Sequence, residues 1–306
     1  MKNARGRINL FAAVATLAVS ACGGGGAGGA QAAPTPAPPP TPSPPPPPPP
    51  PPAGAYLTPG VSQSTDFAVL GWEFDAGDST LPAVATNGFT VSYDAASQSY
   101  SVALPSYQGA PASTFQQNGV SSLYYSGLIN GSGMNPATMA VRRPGPYQFT
   151  NIAGVDTLAD SPTSVFAFGL ATSAGSVPVT GSASYSADAE GTSLSNLYYF
   201  RGGATLNFDF GAGTLGGQMA LEVYDLGGGA RSIGSYSFLN TVYASGSTTF
   251  SGSLLNSSNG LGGAFLGQFT GPNAEELMAR WNLEFLNPDS SARETAVGAL
   301  IGRRGP

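Results

Sequence analysis

Histidine is absent from the 306 residues, and lysine occurs once, at Lys2. Without an imidazole there is no Ser-His-Asp or Cys-His catalysis, no His-ligated zinc and no His-ligated haem. Acid–base work or metal binding would fall to carboxylates, tyrosines and the backbone. A single cysteine, Cys22, excludes any disulfide within the chain, so stability must come from packing. Charged residues make up 9% of the chain, against roughly 25% in an ordinary soluble protein. The polar surface is therefore built from Ser, Thr, Asn and Gln, which together with 43 Gly and 27 Pro favours β-structure with many turns.

Basic residues are scarce as well. Three of the eleven, Lys2, Arg5 and Arg7, sit in the first few positions, and beyond them 8 basic residues face 17 acidic ones, a balance of −9. Such a chain lacks the basic footprint of a nucleic-acid binder, and no Gly-rich loop ends in Lys-Ser or Lys-Thr to cradle a phosphate. Catalytic constellations are equally missing. The adjacent pair Glu275-Glu276 is no glycosidase dyad, because neighbouring side chains diverge. Asn287-Pro288-Asp289 lacks the ligand spacing of an EF-hand loop. The sequence reads as a protein that is not an enzyme, with no metal site and no cofactor other than a covalent lipid.

What is present begins with a leader. Lys2, Arg5 and Arg7 precede an apolar stretch, Ile8 to Val19, that is broken by Asn9 and Thr16. It is shorter than the roughly 20 residues of a membrane-spanning helix and reads as a signal peptide, 1–21. Leu17-Ala18-Val19-Ser20-Ala21-Cys22 resembles a bacterial lipobox, which implies cleavage before Cys22 and acylation (palmitate among the acyl groups) of its sulfur. The plainer alternative is an ordinary secretory cleavage site. Several acyl chains, at about 0.8 kcal/mol per buried methylene, hold a protein on a membrane almost permanently. Gly23 follows the cysteine where Asp marks inner-membrane retention in Gram-negative lipoproteins, so the expected location is the outer membrane, facing the cell surface.

Residues 22–55 then read as a tether. Gly23–Gly29 is flexible by composition, and the nine prolines Pro44–Pro52 favour polyproline II, spanning roughly 28 Å at about 3.1 Å per residue. A stiff, proline-rich spacer is a better reading than an SH3-type ligand.

The remainder is all-β. Over 56–164 the period-two segments Gly88–Tyr93 and Ser99–Leu104 flank a turn at Asp94-Ala95-Ala96-Ser97 and predict a hairpin. Leu123-Tyr124-Tyr125 and Tyr147-Gln148-Phe149 are further strand candidates. Over 165–306 the pattern is clearer. Val165-Phe166-Ala167-Phe168-Gly169 is a strand, and counting from Ser182 gives eight more: one opening at Ser182–Tyr185, then Ala204–Phe210, Thr214–Val223, Ser232–Leu239, Thr248–Leu255, Gly263–Thr270, Arg280–Leu286 and Thr295–Ile301. Leu206, Phe208 and Phe210 alternate with Thr205, Asn207 and Asp209. Such spacing predicts an eight-stranded antiparallel barrel whose interior is filled by side chains. Alternation alone does not say which face points out. A lipid anchor and strands short for spanning favour the soluble form over a small outer-membrane barrel.

The segment Gly263–Glu276, GAFLGQFTGPNAEE, resembles the barrel signature of transferrin-binding protein B and its surface-lipoprotein relatives. Phe166–Gly169 with Pro178–Tyr185, Gly203–Phe210, Phe250–Leu254 and Ala296–Arg303 are similar to other pieces of that barrel, in the same order. The resemblance covers about 165–304 and departs from the family pattern at Met278-Ala279-Arg280-Trp281. It implies a small handle subdomain of hairpins over 56–164, followed by one soluble barrel, in a single lobe. It also implies a non-catalytic solute- or protein-binding role on the outer membrane, with a host or environmental partner. Relatives with one lobe bind haem, haemoglobin or complement regulators, or have no known ligand, and here only tyrosine ligation of haem stays open. The alternative is a structural envelope lipoprotein without a ligand. Within the signature, Phe265 and Phe269 read as core, Gly271-Pro272 as a strand break, and Glu275 and Glu276 as the first turn of a short helix.

For partner contacts, the aromatic segments Tyr198-Tyr199-Phe200-Arg201 and Leu123-Tyr124-Tyr125 are the candidates, because aromatics and Arg are enriched in binding hot spots. The site residues expected are thus Tyr198, Tyr199, Phe200, Tyr124 and Tyr125. The alternative for each is a strand residue with its side chain buried.

Overall fold

The computed structural model describes residues 65–75, 88–107, 110–117, 124–130, 134–142, 145–157, 163–224, 229–239, 241 and 243–305. The leader, Cys22, the proline tether and Leu123 lie outside the described residues. Among the described residues there is no α-helix, only strands and one 3-10 turn, Pro105–Tyr107.

The strands form two closed barrels of eight, each strand pairing with its neighbours in sequence. The first comprises β1 (Thr65–Phe74), β2 (Thr90–Asp94), β3 (Ser99–Ala103), β4 (Ser113–Gln117), β5 (Tyr124–Asn130), β6 (Met134–Val141), β7 (Thr150–Thr157) and β8 (Thr163–Gly169). The second comprises β9 (Ser182–Ser193), β10 (Tyr199–Asp209), β11 (Thr214–Tyr224), β12 (Ala230–Leu239), β13 (Thr249–Leu255), β14 (Gly262–Thr270), β15 (Glu276–Leu286) and β16 (Arg293–Arg304). The expected barrel after Ser182 is therefore present strand for strand.

Two expectations are corrected. The region read as a handle of hairpins is itself a closed barrel. Phe166–Gly169, likened with Pro178–Tyr185 to a piece of the second barrel, lies in β8 and closes the first, with Ala68 opposite Gly169 and Phe74 opposite Thr163. Strands β2 and β3 are the hairpin expected from Gly88–Tyr93 and Ser99–Leu104, whereas β1 is buried on both faces over Gly71–Phe74 and so does not alternate.

In the second barrel the period-two pattern sorts the faces. Phe200, Leu206 and Phe208 of β10 point inward, while Tyr199, Arg201, Thr205, Asn207 and Asp209 point outward. Phe208 packs against Phe269 and Phe250 with ring centroids 4.9 and 5.0 Å apart. Trp281, fully buried, lies over the paired glycines Gly191 and Gly298, where a Cβ would stand 2.6 and 2.2 Å from its ring. Its Nε1–H donates to the Ala299 carbonyl at 3.1 Å. A membrane-spanning barrel carries its apolar band outside. Here the aromatic face is inside and the polar face outside, so the transmembrane alternative is corrected for this barrel.

The barrels meet wall to wall. Met278 of β15 and Val297, Ala299 and Ile301 of β16 point outward and pack with Trp72, Phe74, Ile152, Val165 and Ala167 of the first barrel. Both β15 and β16 are thus buried on two faces, which is why Ala296–Ile301 reads as an unbroken apolar and glycine run.

The Gly263–Glu276 segment sits at this junction. Phe265 and Phe269 are core, as expected. Gly271 breaks the strand at φ +83°, a conformation that favours glycine. The expected helix is not there: Pro272 and Asn273 form a turn and Glu276 opens β15. The Tyr185 hydroxyl donates to the Ala274 carbonyl at 2.6 Å, and the Glu275 carboxylate accepts from Asn273. The buried Glu276 carboxylate crosses to the first barrel. It accepts from the Gln148 and Phe149 amides at 2.6 and 2.9 Å and from the Thr150 hydroxyl at 2.8 Å. Burial pushes this carboxyl above the usual carboxylate range, against the pull of those donors.

Candidate ligand groove between the barrels

Beside the apolar junction the two walls part into a groove of about 850 Å³, within the roughly 300–1,000 Å³ of small-ligand clefts. Strands β5–β8 supply one side, and β9 with the start of β10 supplies the other.

Tyr124 and Tyr199 reach this groove from opposite barrels, 46% and 38% exposed. The other three aromatics expected at a partner surface do not. Tyr125 is inside the first barrel, edge-on to Tyr100 at 5.0 Å. Phe200 is fully buried against Phe285 at 4.9 Å. Tyr198 is buried too, and its hydroxyl donates to Asn287 Oδ1 at 3.1 Å and Asp289 Oδ2 at 2.8 Å. Strand geometry explains the split. Successive side chains alternate faces, so each Tyr-Tyr or Tyr-Phe pair on a barrel wall offers one ring outward and one inward.

A charged cluster ties the walls together at the groove. Arg142, just after β6, places Nη2 at 3.1 Å from Asp188 Oδ2 and Nε at 3.4 Å from Glu190 Oε1, both on β9. Tyr147 also donates to Asp188, at 2.9 Å. The other Glu190 oxygen accepts the Tyr199 hydroxyl at 2.9 Å, and the Arg201 guanidinium lies over the Tyr199 ring, 4.9 Å from its centroid. Packing at the groove wall and then the Glu190 carboxylate push the Tyr199 phenol up to about 12. Tyr147 is also raised, by burial first and by its bond to Asp188 next. The sequence reading missed Arg142, Asp188 and Glu190. Arg142 is far from Glu190 along the chain, and no local spacing marks a contact between barrels.

The arrangement can position a ligand, since aromatic rings from separate barrels face one groove and one of them, Tyr199, is fixed by the Glu190 carboxylate that also meets Arg142. Among the described residues no cluster of three or more His, Cys, Asp or Glu side chains is placed to hold a metal ion.

No protein-family model matches the chain. The search of curated proteins also returned no match. Among solved structures, the chain is similar to a mutant of transferrin binding protein B from Haemophilus parasuis Hp5, at 14% identity over 78% of this chain and 45% of that one, with a TM-score of 0.44. It is also similar to isotype 1 transferrin binding protein B from serogroup B Neisseria meningitidis, at 13% identity over 78% and 43% of the two chains, with a TM-score of 0.42. A structure described as a surface lipoprotein matches at 13% identity over 78% of this chain and 98% of that one, with a TM-score of 0.36. The chain spans less than half the length of the two transferrin binding protein B chains. No ligand or residue role is carried across from these proteins.

Proposed function

We propose that this chain is a non-catalytic binding lipoprotein of a Gram-negative outer membrane, anchored through acylated Cys22 and displayed on its proline tether at the cell surface. Its binding site is the groove between the barrels. One observation carries the reading: Tyr124 and Tyr199, on different barrels, face one groove whose walls are bridged by Arg142 and Glu190. The lipobox-like Leu17–Cys22 and the resemblance of Gly263–Glu276 to the transferrin-binding protein B barrel support the location and the class. A groove of this size suits a small solute, or a short protruding part of a protein, better than a flat protein face.

The test is capture of a ligand from spent medium or host fluid by the full chain, compared with the Tyr124→Ala/Tyr199→Ala double variant. Capture lost in the double variant, with an unchanged melting temperature, is the expected result. Equal capture by both proteins removes the groove as the site. Incorporation of labelled palmitate into the wild type but not into Cys22→Ser, with protease accessibility on whole cells, checks the anchor and its face.

A further inference from the structure

Resting on that reading, we infer that the groove takes a neutral saccharide of a few rings. Its lining argues against the other ligand classes. Val141, Ile152, Val155 and Val165 contribute to the walls, yet all four are at most 9% exposed. Of the aliphatic lining residues only Ala140 is exposed, so an acyl chain would meet a single methyl group beside the tyrosine rings. The lining charges are two of each sign, Arg142 and Arg201 with Asp156 and Glu190. Arg142 is already engaged by Asp188 and Glu190, and Arg201 lies on Tyr199 opposite Glu190 in register. A polyanion would have to break this bridge.

An extended peptide is disfavoured for a different reason. It gains affinity by adding to a free strand edge, and these walls have none. Strand β7 is paired with β6 and β8, and β9 with β10 and β16.

What remains accessible is a matched set: the exposed rings of Tyr124 and Tyr199, the Asp156 carboxylate, the Asn196 carboxamide and the half-buried Thr138 hydroxyl, whereas the Thr192 hydroxyl is taken up by the Tyr198 carbonyl and Asn196 Oδ1. A sugar ring has an apolar C–H face that stacks on an aromatic ring, and an edge of hydroxyls that pairs with planar carboxylates and amides. Both halves of that chemistry are present, and the groove carries no net charge to be neutralised.

The experiment titrates the full chain by calorimetry with maltotetraose, cellotetraose and tetra-N-acetylchitotetraose. A heparin tetrasaccharide and a neutral octapeptide serve as contrasting probes, and saturation-transfer NMR reads which sugar protons lie on protein. At least one neutral tetrasaccharide is expected to bind with a Kd below about 1 mM, with saturation on its ring C–H protons. Tyr199→Ala or Tyr124→Ala should weaken it about tenfold or more, and Tyr→Phe at the same position should restore most of the loss. The inference is overturned if none of the three sugars binds, if both alanine variants bind equally well, or if only heparin or the octapeptide binds. Should all three sugars fail while ligand capture still depends on Tyr124 and Tyr199, the groove stands and only the ligand class falls. Should capture not depend on them, both readings fall.

Discussion

Glu190 is the residue on which the groove turns, because each of its oxygens serves a different barrel. One meets Arg142 and the other holds the Tyr199 hydroxyl. The same carboxylate helps to raise Tyr199 to about 12, from an ordinary 10.0. Glu190→Gln removes the negative charge while keeping an acceptor, so the Tyr199 phenol should ionise at a lower pH. Ultraviolet absorbance of phenolate, taken as a difference against Tyr199→Phe, measures the midpoint, and a midpoint unmoved or higher refutes the assignment. The sign for stability follows. Folded Tyr199 keeps its proton to a higher pH than the unfolded chain does, so its contribution is intact below about 10 and is lost as pH rises towards 12. That alkaline loss should shrink in Glu190→Gln.

At the scale of elements, the second barrel was legible because its strands are long and alternate. Leu206, Phe208 and Phe210 against Thr205, Asn207 and Asp209 place the core directly, and the turn glycines mark the ends. The first barrel was only half legible: β2 and β3 alternate and show as a hairpin, while β1 is buried on both faces over Gly71–Phe74 and does not alternate. Of the five aromatics expected at a partner surface, two, Tyr124 and Tyr199, face the candidate groove. Tyr124 and Tyr199 were found by residue type, but which of two adjacent aromatics faces out depends on a register that the sequence does not print. Glycine inside strands is the other signal that single-strand reading overlooks. Gly191 and Gly298 look like weak points in β9 and β16, yet they make room for Trp281. Gly298→Val should force the indole out of place and cost about 1–3 kcal/mol or more, seen as a lower denaturant midpoint. An unchanged midpoint would show that the ring does not need the gap.

For the whole molecule, the decisive contact is the wall shared by the two barrels. Glu276 gives it direction, since its carboxylate is the common acceptor for Gln148, Phe149 and Thr150. Glu276→Ala strands three donors, two of them buried, at about 1–3 kcal/mol for each that water does not reach. The expected outcome is faster hydrogen exchange at residues 148–150 and easier proteolysis of the linker at 173–181, with the interior of the second barrel still protected. Uniform loss of protection in both barrels would mean that Glu276 supports the second fold itself and is no docking group. The proposed ligand groove lies beside this wall, so on that proposal anything that loosens the wall should also weaken ligand capture.

The shared wall also sets an order of assembly. Strand β16 pairs with β9, more than a hundred residues earlier, and its outward Val297, Ala299 and Ile301 are what the first barrel leans on. Ribosomes deliver β16 after every strand it must meet, and pairings so distant in sequence form slowly. Until it arrives, the first barrel carries an uncovered apolar flank that includes Trp72, Phe74 and Val165. A newly made chain is therefore sticky on this flank until β16 closes, and a holding chaperone that recognises the flank would have a defined moment of release.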